Sequence, residues 1–140
     1  MAYEIKLNYV VVDEKGVDRS KTENLILEHA ESFADAEQIG YDYGSGLTAI
    51  DVVSIKRSKL KEIVNERPFN DETCKIYVAQ IVDHFVDLET EETKDIKYSV
   101  ALFAHDMNEA HKAIEQYMKQ GLEDMDLVSI KESKFNDVLK

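Results

Sequence analysis

The residues in this chain best suited to chemistry by type and spacing are serines and lysines that occur in the same pattern twice. "VVSIKRSKLKEIV" runs from Val52 to Val64, and "LVSIKESKFNDVL" runs from Leu127 to Leu139. Ser54, Lys56 and Ser58 alternate along the first phrase, with Lys59 next; Ser129, Lys131, Ser133 and Lys134 repeat the pattern. Hydroxyls and ammonium groups at a strand end can hold an anion, the more so if the serines cap helices whose free N–H groups face it. These eight residues are the candidate ligand-binding set, for a small anion such as a nucleotide. The plainer reading makes the lysines guards of a sheet edge, where charge discourages pairing with another chain.

Other titratable residues offer less. Asp83 and His84 set a carboxylate beside an imidazole, a pair suited to acid–base work. Adjacent strand residues, however, face opposite sides of a sheet. His105 and His111 flank Asp106 and Glu109, but no HExxH or CxxC pattern accompanies them, so no metal is expected. His111 and Glu115 read as a helical surface pair. Cys74 has only Lys75 as a near basic neighbour in sequence and reads as a structural thiol. The glycines of "GYDYGSG" read as a helix end feeding a strand. No phosphate-cradling loop or nucleophile elbow is present, so neither a catalytic residue nor a cofactor is expected.

Acidic residues outnumber basic ones by 29 to 17, for a net charge of −12. Such a surface repels phosphate backbones and argues against direct nucleic-acid binding. It suits solubility, or an acidic face that enters a basic groove on a protein partner. The connections 13–23 and 87–95 concentrate the charge, and Asp87, Glu89, Glu91 and Glu92 are the candidate partner contacts.

The elements that must position these residues follow from periodicity. Tyr3, Ile5, Leu7, Tyr9 and Val11 alternate, which predicts a half-buried strand. A charged connection over 13–23, a second strand in "NLILEHA" and a helix in "SFADAEQIGYDY" come next. Ser32 is the expected N-cap, with Asp35 at capping-box spacing. A third strand, "AIDVVSIK", leads to Ser58, expected to cap a short final turn or helix in "KLKEIV". The same grammar recurs in "IYVAQIVDHFV", "LETEETKD", "KYSVALFA", a helix capped by Asp106 and stopped at Gly121, and "DLVSIK".

The recurrence has a register. Shifted by 75, Asp51, Ser54, Lys56 and Ser58 meet Asp126, Ser129, Lys131 and Ser133; shifted by 74, Tyr3, Asp13, Ala36 and Tyr43 meet Tyr77, Asp87, Ala110 and Tyr117. The expected fold is α+β: two tandem β-β-α-β repeats, residues 1–65 and 74–140, joined by a linker at 66–73 that holds the only proline, Pro68. Halves this small are marginal alone, so they are expected to pack as a pseudo-two-fold internal dimer with mainly antiparallel sheet.

At "NLILEHAESFADAEQ" and "VVSIKRSKLKEI" the chain resembles a domain-of-unknown-function family of small tandem-repeat proteins from Bacteroides-type bacteria and their phages. The family's pattern runs twice through the chain. Tyr3 and Tyr77 stand at strand starts where members often carry tryptophan. The resemblance implies a phage or mobile-element setting and no mechanism.

Hydrophobic residues make up 44% of the chain, enough for a packed core. No apolar run approaches the ~18 residues of a membrane helix, and "MAYEIKLNYV" is not built like a secretory signal. A single cysteine fits a reducing compartment, the cytoplasm of a bacterial or phage-infected cell. The expected function is a non-enzymatic, acidic binding protein acting through a protein partner, a homo-oligomer being compatible with this. The alternative is a small anionic-ligand binder with sites at the repeat interface.

Overall fold

The computed structural model describes residues 2–67, 73–120 and 124–139, so the expected linker's Pro68 and the helix-stopping Gly121 lie outside the described residues. Alternation places Tyr3, Ile5 and Leu7 on one face of β1 (Tyr3–Val12), where all three are buried. The chain turns at Asp13, whose carbonyl accepts from Gly16 N–H at 3.0 Å, with Gly16 at φ 77°, a left-handed conformation that suits glycine. It returns as β2 (Asp18–Leu27), antiparallel to β1. β2 starts well before the expected "NLILEHA". Residues 18–22 are exposed on both faces, so they lack the alternation that marks a half-buried strand.

Helix α1 (Phe33–Tyr43) begins as its cap signature predicts, with Ser32 Oγ accepting from Asp35 N–H at 3.0 Å. Asp35 Oδ2 accepts in return from Glu31 N–H at 2.9 Å. The helix buries Ala36 and Gly40. A Cβ on Gly40 would stand 3.0 Å from Val52 and 3.1 Å from Ile5, so the glycine permits a close approach of helix to sheet. β3 (Thr48–Arg57) then pairs antiparallel with the other side of β1.

"KLKEIV" is neither a turn nor a helix. Leu60–Ile63 form a strand, β4, and β4 does not join the sheet of β1. It adds in parallel to β6, with Leu60 opposite Ser99 and Ile63 opposite Ala101. The second half runs β5 (Lys75–Val86), β6 (Thr93–Ala104), α2 (Met107–Lys119), β7 (Asp124–Glu132) and β8 (Asp137–Leu139). Asp106 caps α2 as expected, accepting from Glu109 N–H at 2.8 Å. β8 adds in parallel to β2, through Asp137, Val138 and Leu139 opposite Leu25, Ile26 and Leu27.

The fold is therefore mixed α+β, with two four-stranded, mostly antiparallel sheets ordered β3-β1-β2-β8 and β4-β6-β5-β7. Unit 1 comprises Met1–Ser58 and Lys134–Lys140; unit 2 comprises Lys59–Ser133. Each sheet has as one edge a short strand from the other half of the chain. In unit 1 the core gathers Tyr3, Ile5, Leu7, Leu25, Leu27 and Ala36, with Leu139 packed against it. In unit 2 it gathers Tyr77, Ile81, Val100, Leu102, Ala110 and Ile114, with Val64 packed against it.

Candidate functional site

The repeated Ser/Lys residues occupy the ends of β3 and β7. Ser58 N–H donates to Ala2 O at 3.0 Å, and Ser133 donates to Ile76 O through both its N–H (2.9 Å) and its hydroxyl (2.8 Å). These serines pin backbone, and because no helix follows either one, the expected helix N–H groups are not there to face an anion. Ser54 and Lys56 line a small groove of about 50 Å³ on unit 1 together with Lys6 and Asn24, and Lys134 joins them from the exchanged segment. Lys56 is tied to Glu4, 3.8 Å from its carboxylate. Lys59, expected beside Lys56, is carried into unit 2, where it lines a larger groove of about 310 Å³ with Gln80, Val82, Lys97, Tyr98 and Ser99. Ser129 approaches this groove through Gln80, whose Oε1 accepts from its hydroxyl at 3.5 Å. Lys131 pairs opposite Val78 and lies exposed outside the groove.

The acidic connections are short tips. In 13–17, Asp13 Oδ1 accepts from Lys15 and Val17 N–H at 2.9 Å each, and Oδ2 from Arg19 at 3.1 Å. In 87–92, Asp87 Oδ1 accepts from Glu89 N–H at 2.9 Å while Lys94 Nζ stands 2.8 Å from Oδ2. The backbone donor at Val17 holds the Asp13 carboxyl below its ordinary range, and Lys94 does so for Asp87. Asp87 is thus the anchor of its own loop. Glu89, Glu91 and Glu92 are exposed around it, with Leu88 92% exposed at the tip and Val86 58% exposed beside it.

Two constellations form that the chain order does not suggest. His84 turns away from Asp83 and bridges two strands. Its Nδ1 lies 2.6 Å from Asp95 Oδ1 and its Nε2 lies 2.7 Å from Asp126 Oδ2. Donation from both ring nitrogens requires the imidazolium, and the Asp95 and Asp126 carboxylates push the His84 pKa up to about 9. Asp83 sits on the opposite, buried face, 9% exposed, with Oδ1 lacking a hydrogen-bond partner. Cys74 Sγ lies 3.5 Å from His105 Nε2, and Glu109 holds the other ring nitrogen at 2.9 Å. A thiol, an imidazole and an orienting carboxylate form the order of an activated nucleophile. At 8% exposure, the residue keeps its thiol closed to bulky electrophiles. Among the described residues no three His, Cys, Asp or Glu side chains gather as a metal site, and no helix is long and apolar enough to cross a membrane.

Tyrosines tie the helices to carboxylates in both units. Tyr43 OH donates to Glu23 Oε2 at 2.8 Å, and Tyr117 OH donates to Glu62 of the exchanged β4. Burial raises both hydroxyl pKa values, that of Tyr43 to about 12. The whole chain, residues 1–140, matches the family model described as Domain of unknown function (DUF4494), and the chain belongs to that family. No curated protein and no solved structure matches it.

Proposed function

We propose that this DUF4494 chain is a non-enzymatic binding protein that engages a basic protein partner through the tip of the β5–β6 hairpin. The observation that carries the reading is Leu88, 92% exposed on a loop whose shape is held by Asp87 and Lys94. An apolar side chain presented on a pre-shaped turn loses little freedom on binding, which favours affinity. Glu89, Glu91 and Glu92 surround it, and the chain's net charge of −12 extends the field that would steer a positively charged partner. The complementary surface is an apolar pocket rimmed by Lys or Arg.

We infer likewise that the chain is a tandem duplication of a ββαβ module forming an internal pseudo-dimer. The recurring element order, the paired caps Ser32 and Asp106, and the bulged valines Val53 and Val128 at matching strand positions support this. The setting that goes with the reading is the cytoplasm of a bacterial or phage-infected cell, in keeping with a single cysteine, Cys74, which has no second cysteine in the chain to pair with.

Capture of host-lysate proteins by the immobilised full chain tests the partner reading. The comparison is between wild type, Leu88→Ala and Glu89→Gln/Glu91→Gln/Glu92→Gln, with Asp87 left intact because it anchors the loop. A specific partner should be lost from both variants and should bind less at high salt, since exposed charges are screened within about 8–10 Å at physiological ionic strength. A partner retained equally by all three proteins would refute the assignment to this tip.

A further inference from the structure

We propose that Asp83, on the strand that leads to the β5–β6 tip, receives the guanidinium of an arginine on the basic protein partner; this rests on the partner reading above and names one residue of that partner. Among the described residues Asp83 is the only buried carboxylate, 9% exposed. Its Oδ1 has no hydrogen-bond partner. A carboxylate withdrawn from water costs folding free energy unless a donor or a cation compensates it. None of the described residues does so, which points to compensation from outside the chain.

Unit 1 shows how the same problem is solved within the chain. Glu23 lies opposite Leu7, on the face that packs against α1, and accepts from Tyr9 OH at 2.9 Å and from Tyr43 OH at 2.8 Å. Asp83 lies two residues beyond Ile81, on the face that packs against α2. Under the 74-residue shift Asp83 takes the place of Tyr9, so unit 2 has a carboxylate where unit 1 has its hydroxyl donor. The unit 2 tyrosines are engaged elsewhere. Tyr98 OH donates to Met125 Sδ at 3.4 Å, and Tyr117 OH donates to Glu62. Glu23 thus has two phenol donors, and Asp83 Oδ1 has none.

The neighbours of Asp83 favour a guanidinium as the missing partner. Phe85 follows on the same face of β5 and is partly exposed. The cross-strand neighbours are Ile96 on β6, 52% exposed, and Met125 on β7. A carboxylate edged by an aromatic ring, an aliphatic chain and a thioether suits a planar, weakly hydrated cation that can stack on the ring and present several donors. An ammonium holds its water more tightly and gives up more to enter such surroundings. Ile96, half in water, is the wall that can yield to admit the side chain. The site lies on the hairpin that presents Leu88, so one partner surface can cover both.

The test is amide NMR on the full chain at low salt, with N-acetyl-arginine methylamide and N-acetyl-lysine methylamide as millimolar probes. The arginine derivative should shift the amide signals of Asp83, Phe85 and Ile96, and the lysine derivative should bind more weakly. Asp83→Asn should weaken arginine binding about 10-fold, the effect of losing one charge-assisted contact. The same variant should melt in urea at or above the wild-type midpoint, because it removes an uncompensated buried charge; a carboxylate with a structural duty would lower it. Leu88→Ala should bind the arginine derivative as wild type does, so the tip and Asp83 can fail separately. A lysate partner retained by Leu88→Ala, with the arginine shifts intact, would refute the tip and leave Asp83 supported. The proposal is overturned by arginine shifts that are absent or are the same in wild type and Asp83→Asn. It is overturned equally by the lysine derivative binding as tightly as the arginine one, or by a lower urea midpoint for Asp83→Asn.

Discussion

Asn65 is the residue on which the exchange of closing strands in unit 2 can be tested most directly. Just beyond β4 its side-chain amide imitates one more residue of strand. Oδ1 accepts from Phe103 N–H at 2.7 Å, and Nδ2 donates to Phe103 O at 3.0 Å. Phe103 is 6% exposed, so water does not readily replace these bonds. Asn65→Ala removes both. Each hydrogen bond is worth a net ~0.5–1.5 kcal/mol, and leaving a buried partner unsatisfied costs about 1–3 kcal/mol, which puts the loss at about 2–3 kcal/mol. Set against a total stability of about 5–15 kcal/mol, that is a large fraction. Asn65→Asp keeps the acceptor for Phe103 N–H but sets a carboxylate against the Phe103 carbonyl. It should be at least as damaging near neutral pH and should recover as the pH falls through the ordinary aspartate range near ~4, where a protonated acid can donate again. Urea melts would show the loss as a lower midpoint at unchanged slope, and hydrogen exchange would show a faster Phe103 amide. A loss below about 0.5 kcal/mol for Asn65→Ala, with Phe103 exchange unaltered, would refute Asn65 as the latch.

Ser32→Ala should cost about 1 kcal/mol, within ~0.5–2, because the Asp35 N–H loses its acceptor; a urea midpoint equal to wild type would contradict the cap. His84 is raised from 6.5 to about 9 in the fold, so its contribution is complete below pH 6.5 and disappears as pH rises through about 9. The gap in melting temperature between wild type and His84→Asn should therefore close across that window, and a gap that stays constant from pH 6 to 10 would count against the bridge from His84 to Asp95 and Asp126. A protease site inserted between residues 68 and 72, then cut, should give two fragments that remain together on size exclusion until urea is added. Each unit contains strands from both fragments, and separation in native buffer would contradict the exchange.

Local signals carried much of this architecture. The alternation of Tyr3, Ile5 and Leu7 and the caps Ser32 and Asp106 are short-range patterns, and the structure places each of them as read. "KLKEIV" is ambiguous because so short a run, with Leu60, Ile63 and Val64 apolar, suits a helical turn or a strand. Its partner β6 lies some forty residues away, where no local pattern points. Lys134 reaching the groove of Lys56 has the same cause. The His84–Asp95 and Cys74–His105 pairs were within reach of sequence reasoning. Once the β5–β6 turn is centred on 87–92, the register sets His84 opposite Asp95, and one further step past Lys75 and Ala104 brings Cys74 to His105. The Asp126 partner of His84 requires knowing that β7 flanks β5, a choice of sheet neighbour that periodicity leaves open.

The placement of β8 also sets the order in which the two sheets can be completed. Unit 2 is one unbroken stretch, Lys59–Ser133, whereas unit 1 closes only when Asp137–Leu139 reach β2, with Asn24 and Asn136 joined across 112 residues. On the ribosome the N-terminal sheet therefore emerges first and is finished last. It waits with the β2 edge unpaired until the final strand has been made, and contacts this distant in sequence form slowly. A premature stop or a proteolytic nick near the C-terminus would strike the N-terminal unit, and chaperones would meet that open edge on every incomplete chain.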